Sequence, residues 1–286
     1  MEFGVLGPLL IRDETGVLSA NVRAAKQRTL LAALLLRAGR VVSVDYLVET
    51  LWDGLPPETA LPSLRNYVTR LRAALGSAGR RISFRDRGYV LEISEDEVDL
   101  LRFTGLLEAG TAAFQRGEFA LAAELTGSAL EQWRGPVLED VASDSLHRDE
   151  CVLVAERRLD AVELKLEADR RLGVRPVRTA ELRDLARAHP ERERLWEHLI
   201  NGLCQGGRRI EALAEFRRLE RVLGTEYGVR PGARIRRLIS DVHPADTMHR
   251  EHREPYKHYD KYYEFRPLPR AFARTRSGSD AGCSDL

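Results

Sequence analysis

The chain has 286 residues, 43% of them hydrophobic, with 45 basic and 44 acidic side chains and a formal net charge of +1. That length and apolar content predict two domains, each with its own core, and the near-neutral total leaves bulk charge with nothing to say about a nucleic-acid or membrane partner. The longest apolar run, residues 30–36, cannot cross a bilayer, no signal-peptide pattern opens the chain, and Cys151, Cys204 and Cys283 stand in neither disulfide nor zinc-site spacing, so the expectation is a protein of the reducing cytoplasm.

The first elements in chain order are short strands. Residues 3–11 read as strands broken at Gly7-Pro8, and the polar turn at residues 13–16 leads into Val17-Leu18, which together predict a small antiparallel sheet. A helix over 26–37 follows, with Leu30, Leu31, Leu34 and Leu35 inward and Gly39 ending it. Val41-Val42 is a brief strand, and Ser43 is placed to cap a second helix over 44–51. A Pro-rich loop at 52–58 then leads to the stretch with the clearest chemistry.

That stretch, residues 60–76, reads ALPSLRNYVTRLRAALG. Leu64, Val68, Leu71 and Leu75 recur at steps of four, three and four and form one stripe of a helix, while Asn66, Thr69 and Arg70 fall opposite, flanked by Arg65 and Arg72. An apolar stripe backed by arginines is ordinarily a solvated helix face. The next segment of the chain changes that reading: Ile82 and Phe84 alternate with polar residues, a tight turn runs Arg85-Asp86-Arg87-Gly88, and Tyr89-Val90-Leu91 forms a second strand. A basic helix followed by a two-stranded ribbon is the winged-helix layout, in which the helix enters a major groove and the ribbon lies on the neighbouring backbone. From residue 59 to residue 91 there are seven arginines and one acid. Arg70, central on the outer side, suits the bidentate acceptors of guanine; Asn66 suits adenine, and Thr69 a thymine methyl or a phosphate. Arg65, Arg72, Arg85 and Arg87 suit phosphates.

The blocks KQRTLLA (26–32), LWDGLPP (51–57), YVTRLRAAL (67–75) and GYVL (88–91) resemble the Streptomyces antibiotic regulatory protein family, whose N-terminal domain is a winged helix of the OmpR type. The resemblance implies that Arg70 and Arg72 make groove and phosphate contacts and that Tyr89 is the wing tyrosine. Leu61-Pro62-Ser63 departs from the family pattern at the start of the basic helix.

From Asp99 onward strand signals give way to helical periodicity. Leu106, Gly110, Gly117, Ala122 and Ala129, and later Trp196, Leu199, Leu203, Gly207, Ala212 and Phe216, fit the small and large positions of tetratricopeptide-like helix pairs. Between them a long charged helix over 145–172 offers Leu153, Leu159, Leu164 and Leu166 for packing, and Leu182, Leu185 and Ala186 begin another that His189-Pro190 closes. Trp133, Trp196 and Phe216 are expected in the core. ALEQWRGP (129–136), AHPERER (188–194), GGRRIEAL (206–213) and YGVRPG (227–232) resemble the bacterial transcriptional activation domain of the same family. The two resemblances cover residues 2–242.

The expected fold is therefore mostly α: an α+β winged helix over 1–97, an all-α helical domain over 98–242, and a disordered tail over 243–286. His249 and His252 in the tail lack further ligands at metal spacing, and Tyr256, Tyr259, Tyr262 and Tyr263 form a patch for which no physical role suggests itself. No phosphate-binding loop, receiver domain, nucleophile elbow or paired-carboxylate motif is present, so no cofactor, metal or catalysis is expected. The function expected from the residues is sequence-specific recognition of double-stranded DNA. The resemblance implies an activator of a secondary-metabolite gene cluster that binds direct repeats near a −35 region, self-associates on DNA and recruits RNA polymerase holoenzyme in the nucleoid. Two alternatives stand beside it: a helical-repeat interaction protein whose winged helix binds protein, and a DNA-binding repressor.

Overall fold

A computed structural model describes residues 1–13, 16–17, 22–174 and 179–242. The N-terminal sheet is antiparallel in the order β1 (Glu2–Gly4), β2 (Leu10–Asp13), β3 (Gly16–Val17), with Phe3 opposite Ile11. Helix α1 (Ala25–Leu36) is the centre of this half: from Leu30 to Leu35 every side chain is buried, against α2 (Val44–Trp52), α3 (Ala60–Ala74) and the wing. A helix apolar all round must be covered all round, which is why two helices and the wing sheet gather on it. The Ser43 hydroxyl caps α2 by accepting from the Tyr46 amide at 3.2 Å.

The second sheet has the order β4 (Val42–Ser43), β6 (Gly88–Leu91), β5 (Ile82–Arg85), so the ribbon is stitched to the body through β6. Gly88 is required there, since a Cβ on it would meet the Val42 carbonyl oxygen at 2.4 Å. The alternation of Ile82 and Phe84 holds as register but not as burial. Ile82 is buried, whereas Phe84 is 59% exposed, because the hairpin runs past the end of the core.

The remaining helices are α4 (Asp99–Gln115), α5 (Phe119–Leu130), a single turn α6 (Asp144–Leu146), α7 (Val152–Arg171), α8 (Thr179–Ala188), α9 (Glu193–Gln205), α10 (Arg209–Glu226) and α11 (Ala233–Val242). The α4–α5 pair closes on Gly110, where a Cβ would stand 2.9 Å from the Thr126 methyl. Trp196 is buried, and Trp133 and Phe216 pack half-buried against the two main cores. One expected core residue is displaced: Leu153 is 61% exposed and Val154 is buried instead. The wide π-turn His147–Cys151 just ahead carries one more residue per turn than an α-helix and shifts the face that α7 buries.

Packing does not pause between residues 97 and 98. One hydrophobic core runs from Phe3 through α1 and α3 to Phe103, Leu138 and Ala161. At the junction Asp99 is 3% exposed, its Oδ1 accepting the amides of Val5 (2.9 Å) and Leu100 (2.8 Å) and its Oδ2 the amide of Leu6 (3.0 Å) and the Arg134 guanidinium (3.0 Å). Arg134 also donates to the Pro8 carbonyl at 2.9 Å, and the Arg134 amide donates to the Leu6 carbonyl at 2.7 Å. Residues 243–286, including His249, His252 and the four tail tyrosines, lie outside the described residues.

Candidate nucleic-acid interface

Helix α3 buries Leu64, Val68 and Leu71 and turns Arg65, Asn66, Thr69 and Arg70 outward, all four exposed. The Thr69 hydroxyl donates to the Arg65 carbonyl at 2.9 Å. Its one proton is thereby used, leaving its methyl group and oxygen lone pairs for a partner.

The seven arginines of residues 59–91 divide into two groups. Arg72 points along its helix into the ribbon, donating through Nε (3.1 Å) and Nη2 (2.8 Å) to the Ile82 carbonyl. Arg81 grips Glu97 with two bonds of 2.8 and 2.5 Å and also donates to the Glu92 carbonyl. That grip pulls the Glu97 carboxyl down to about 2. Arg85 pairs with Glu92. The side chains of Arg65, Arg70, Arg80 and Arg87 are exposed and have no ion pair or hydrogen bond among the described residues. The surplus of positive charge seen in the sequence is therefore smaller in the fold, because Glu92 and Glu97 lie just past the window and neutralise two of its members.

The wing tip is a two-residue turn in which Asp86 (φ 47°) and Arg87 (φ 62°) are both left-handed, as a type I′ hairpin demands. Asn-Gly or Asp-Gly is the comfortable pair for this turn, and an arginine at its second position costs roughly 1 kcal/mol. The turn is also anchored, with the Val44 amide donating to the Arg87 carbonyl at 3.1 Å. Tyr89 is not a free wing side chain: it is 7% exposed, and its ring lies 5.1 Å from that of Phe84, edge to face. It supports the apolar flank of the wing from below. Sequence reasoning missed both this supporting role and the exposure of Phe84, since alternation gives the face of a strand but not where the core ends.

Among the described residues no cluster of three or more metal-ligating side chains occurs, and no helix is long and apolar enough to cross a membrane. Residues 22–91 match the family described as transcriptional regulatory protein, C terminal, and residues 98–243 match the bacterial transcriptional activator domain. The regulatory protein DnrI of Streptomyces peucetius is 34% identical over 255 residues, spanning 86% of this chain and 93% of DnrI.

The chain belongs to the Streptomyces antibiotic regulatory protein family.

Other relatives in this family include RedD of Streptomyces coelicolor, 36% identical over 254 residues (87% of this chain, 72% of RedD), and EmbR of Mycobacterium tuberculosis. EmbR is 36% identical over 243 residues, and this chain spans only 62% of its length. The solved structure of EmbR in complex with a low affinity phosphopeptide superposes with a TM-score of 0.73 at 34% identity, covering 84% of this chain and 64% of that one. The chain thus carries a winged helix of the transcriptional regulatory type followed by a helical bacterial transcriptional activator domain. Two of its family blocks acquire physical roles here. ALEQWRGP supplies Arg134, which fastens the N-terminal sheet, and LWDGLPP supplies Asp53, whose carboxylate accepts the Ser145 amide at 3.0 Å.

Proposed function

We propose that this regulator binds double-stranded DNA in a sequence-specific manner and activates transcription of a secondary-metabolite gene cluster, with α3 in a major groove and the wing on the adjacent backbone. The observation that carries the reading is the set of exposed, uncommitted guanidiniums of Arg65, Arg70, Arg80 and Arg87 on α3, the turn that follows it and the ribbon, which are otherwise tied together internally. Arg70 reads a guanine, Asn66 an adenine, and Thr69, its proton already donated, presents its methyl to a thymine. Arg65, Arg80 and Arg87 hold phosphates. Arg72 holds the ribbon against α3 through two of its N–H groups and offers the remaining ones to the backbone; Arg85 reaches a phosphate by exchanging Glu92 for it, and Tyr89 supports the wing. On direct repeats near a −35 region two copies bind head to tail, and the helical domain contributes contacts to RNA polymerase holoenzyme. Such work places the protein at the nucleoid, without catalysis or cofactor.

The experiment is a gel-shift titration against the upstream regions of the neighbouring gene cluster at several salt concentrations, with Arg70→Ala and Arg85→Ala alongside. Five phosphate contacts per protomer, those of Arg72 and Arg85 included, give a log–log salt slope of about −4 to −5. Arg70→Ala loses roughly 1–3 kcal/mol of discrimination at one base pair, while Arg85→Ala loses less affinity because Glu92 already competes for its charge. Equal, weak binding of wild type and both variants to any DNA would instead make α3 a solvated face and turn attention to the helical domain.

A further inference from the structure

Helices α4, α7, α9 and α11 enclose a cavity of about 390 Å³, whose walls include Phe114, Glu163, Arg171, Arg194, His198 and Arg234. Two of these side chains are buried and poorly satisfied. His198 is 7% exposed and lines both this cavity and a smaller one of about 70 Å³, yet its ring makes no hydrogen bond among the described residues. Its nearest ionic neighbour, Glu167, is 3.9 Å away, beyond hydrogen-bond reach, and burial keeps the ring neutral by pulling it down to about 4. Glu163 is 7% exposed and accepts one long bond of 3.4 Å from Arg192, a guanidinium already held by Asp160 and Glu156. A buried acceptor in that condition calls for a donor.

The outer wall has the opposite character. Arg194 and Arg234 expose 73% and 66% of their side chains; Arg194 comes no nearer to a carboxylate than 4.0 Å from Glu163, while Arg234 is paired with Glu197 at 3.1 Å. The cavity is therefore polarised, with Glu163 and the neutral imidazole at its buried end and, at its entrance, the guanidiniums of Arg194 and Arg234 alongside Asp160 and Glu197. A simple anion would be held at the entrance and repelled by Glu163, Glu167 and Glu197; a simple cation would be favoured inside and repelled at the entrance. A ligand with an ammonium at one end and a carboxylate at the other satisfies both ends, and the volume lies at the lower end of small-molecule sites, suited to a single amino acid. The geometry points to a binding site for an amino acid of the basic class, its terminal ammonium between Glu163 and His198, its carboxylate on Arg194 and Arg234, and its α-ammonium toward the Glu197 carboxylate that Arg234 now holds. This site is separate from α3 and the wing and stands whether or not the DNA reading does.

Isothermal titration calorimetry of the full chain with L-lysine tests it, using L-norleucine, which lacks the terminal ammonium, and cadaverine, which lacks the carboxylate, as controls. Lysine binds saturably, and each control binds roughly tenfold or more weakly, since each loses one charge-assisted contact. Glu163→Gln abolishes the lysine signal. Arg194→Ala, at an exposed position that folding does not need, weakens lysine about tenfold and leaves cadaverine unchanged. Absence of saturable lysine binding, equal binding of lysine and norleucine, or an unchanged affinity in Arg194→Ala overturns the proposal. Should Glu163→Gln fail to fold by circular dichroism, the Arg194→Ala comparison decides.

Discussion

Replacing Asp99 tests how firmly the winged helix is fastened to the helical domain. In Asp99→Ala the amides of Val5, Leu6 and Leu100 lose their acceptor in a site 3% exposed, and the Arg134 guanidinium loses its carboxylate. Breaking a buried pair by removing one partner costs about 3–5 kcal/mol, and three stranded amides at about 1 kcal/mol or more each give a similar figure. For a unit of this size each kcal/mol lowers Tm by roughly 2–4 °C, so a fall of about 10 °C or more is expected. Asp99→Asn separates the contributions. Its carbonyl can stand at Oδ1 and keep Val5 and Leu100, while its NH2 group faces the Leu6 amide and Arg134, donor against donor. Its loss should be about half that of alanine. Thermal melts of the full chain by far-ultraviolet circular dichroism, with urea titrations to confirm an unchanged m-value, read both. An alanine variant melting within about 2 °C of wild type would refute the latch.

The wing and the Arg81–Glu97 pair each carry an outcome of their own. Arg87→Gly relieves the left-handed strain at φ 62° and gives the turn its preferred Asp-Gly pair, so Tm rises by roughly 1–3 °C while affinity for DNA falls by one phosphate contact; a variant less stable than wild type would contradict this. Glu97, lowered from 4.5 to about 2 by Arg81, contributes stability that is fully present above the ordinary carboxylate range and is lost as pH falls from about 5 toward 2. The loss amounts to at most about 3 kcal/mol for a side chain this well covered, and Glu97→Gln should flatten the stability–pH curve over that window.

Much of the candidate interface was legible in the sequence because the signals that specify it are local. The 3.6-residue period of Leu64, Val68 and Leu71 fixes the outward face of α3, and hence the exposure of Arg65, Asn66, Thr69 and Arg70. The Arg85–Gly88 turn announces the wing, and Ser43 announces the start of α2. The exposure of Phe84 and Leu153 was not legible. The first depends on where the core stops beneath a projecting hairpin, the second on a π-turn that changes the helical phase.

The order of elements, the faces they bury and the candidate readers on α3 are thus written in the linear chain. Which charges remain free is settled by the packed fold. Arg72 is spent on a carbonyl ten residues away, Arg81 on Glu97 sixteen away, and Asp99 on amides more than ninety residues upstream. Hydrophobic periodicity is a property of neighbours along the chain, so it survives in the one-dimensional string. Charge pairing and polar satisfaction depend on which segments the packed core brings within about 3 Å of one another, and only the assembled core sets that distance.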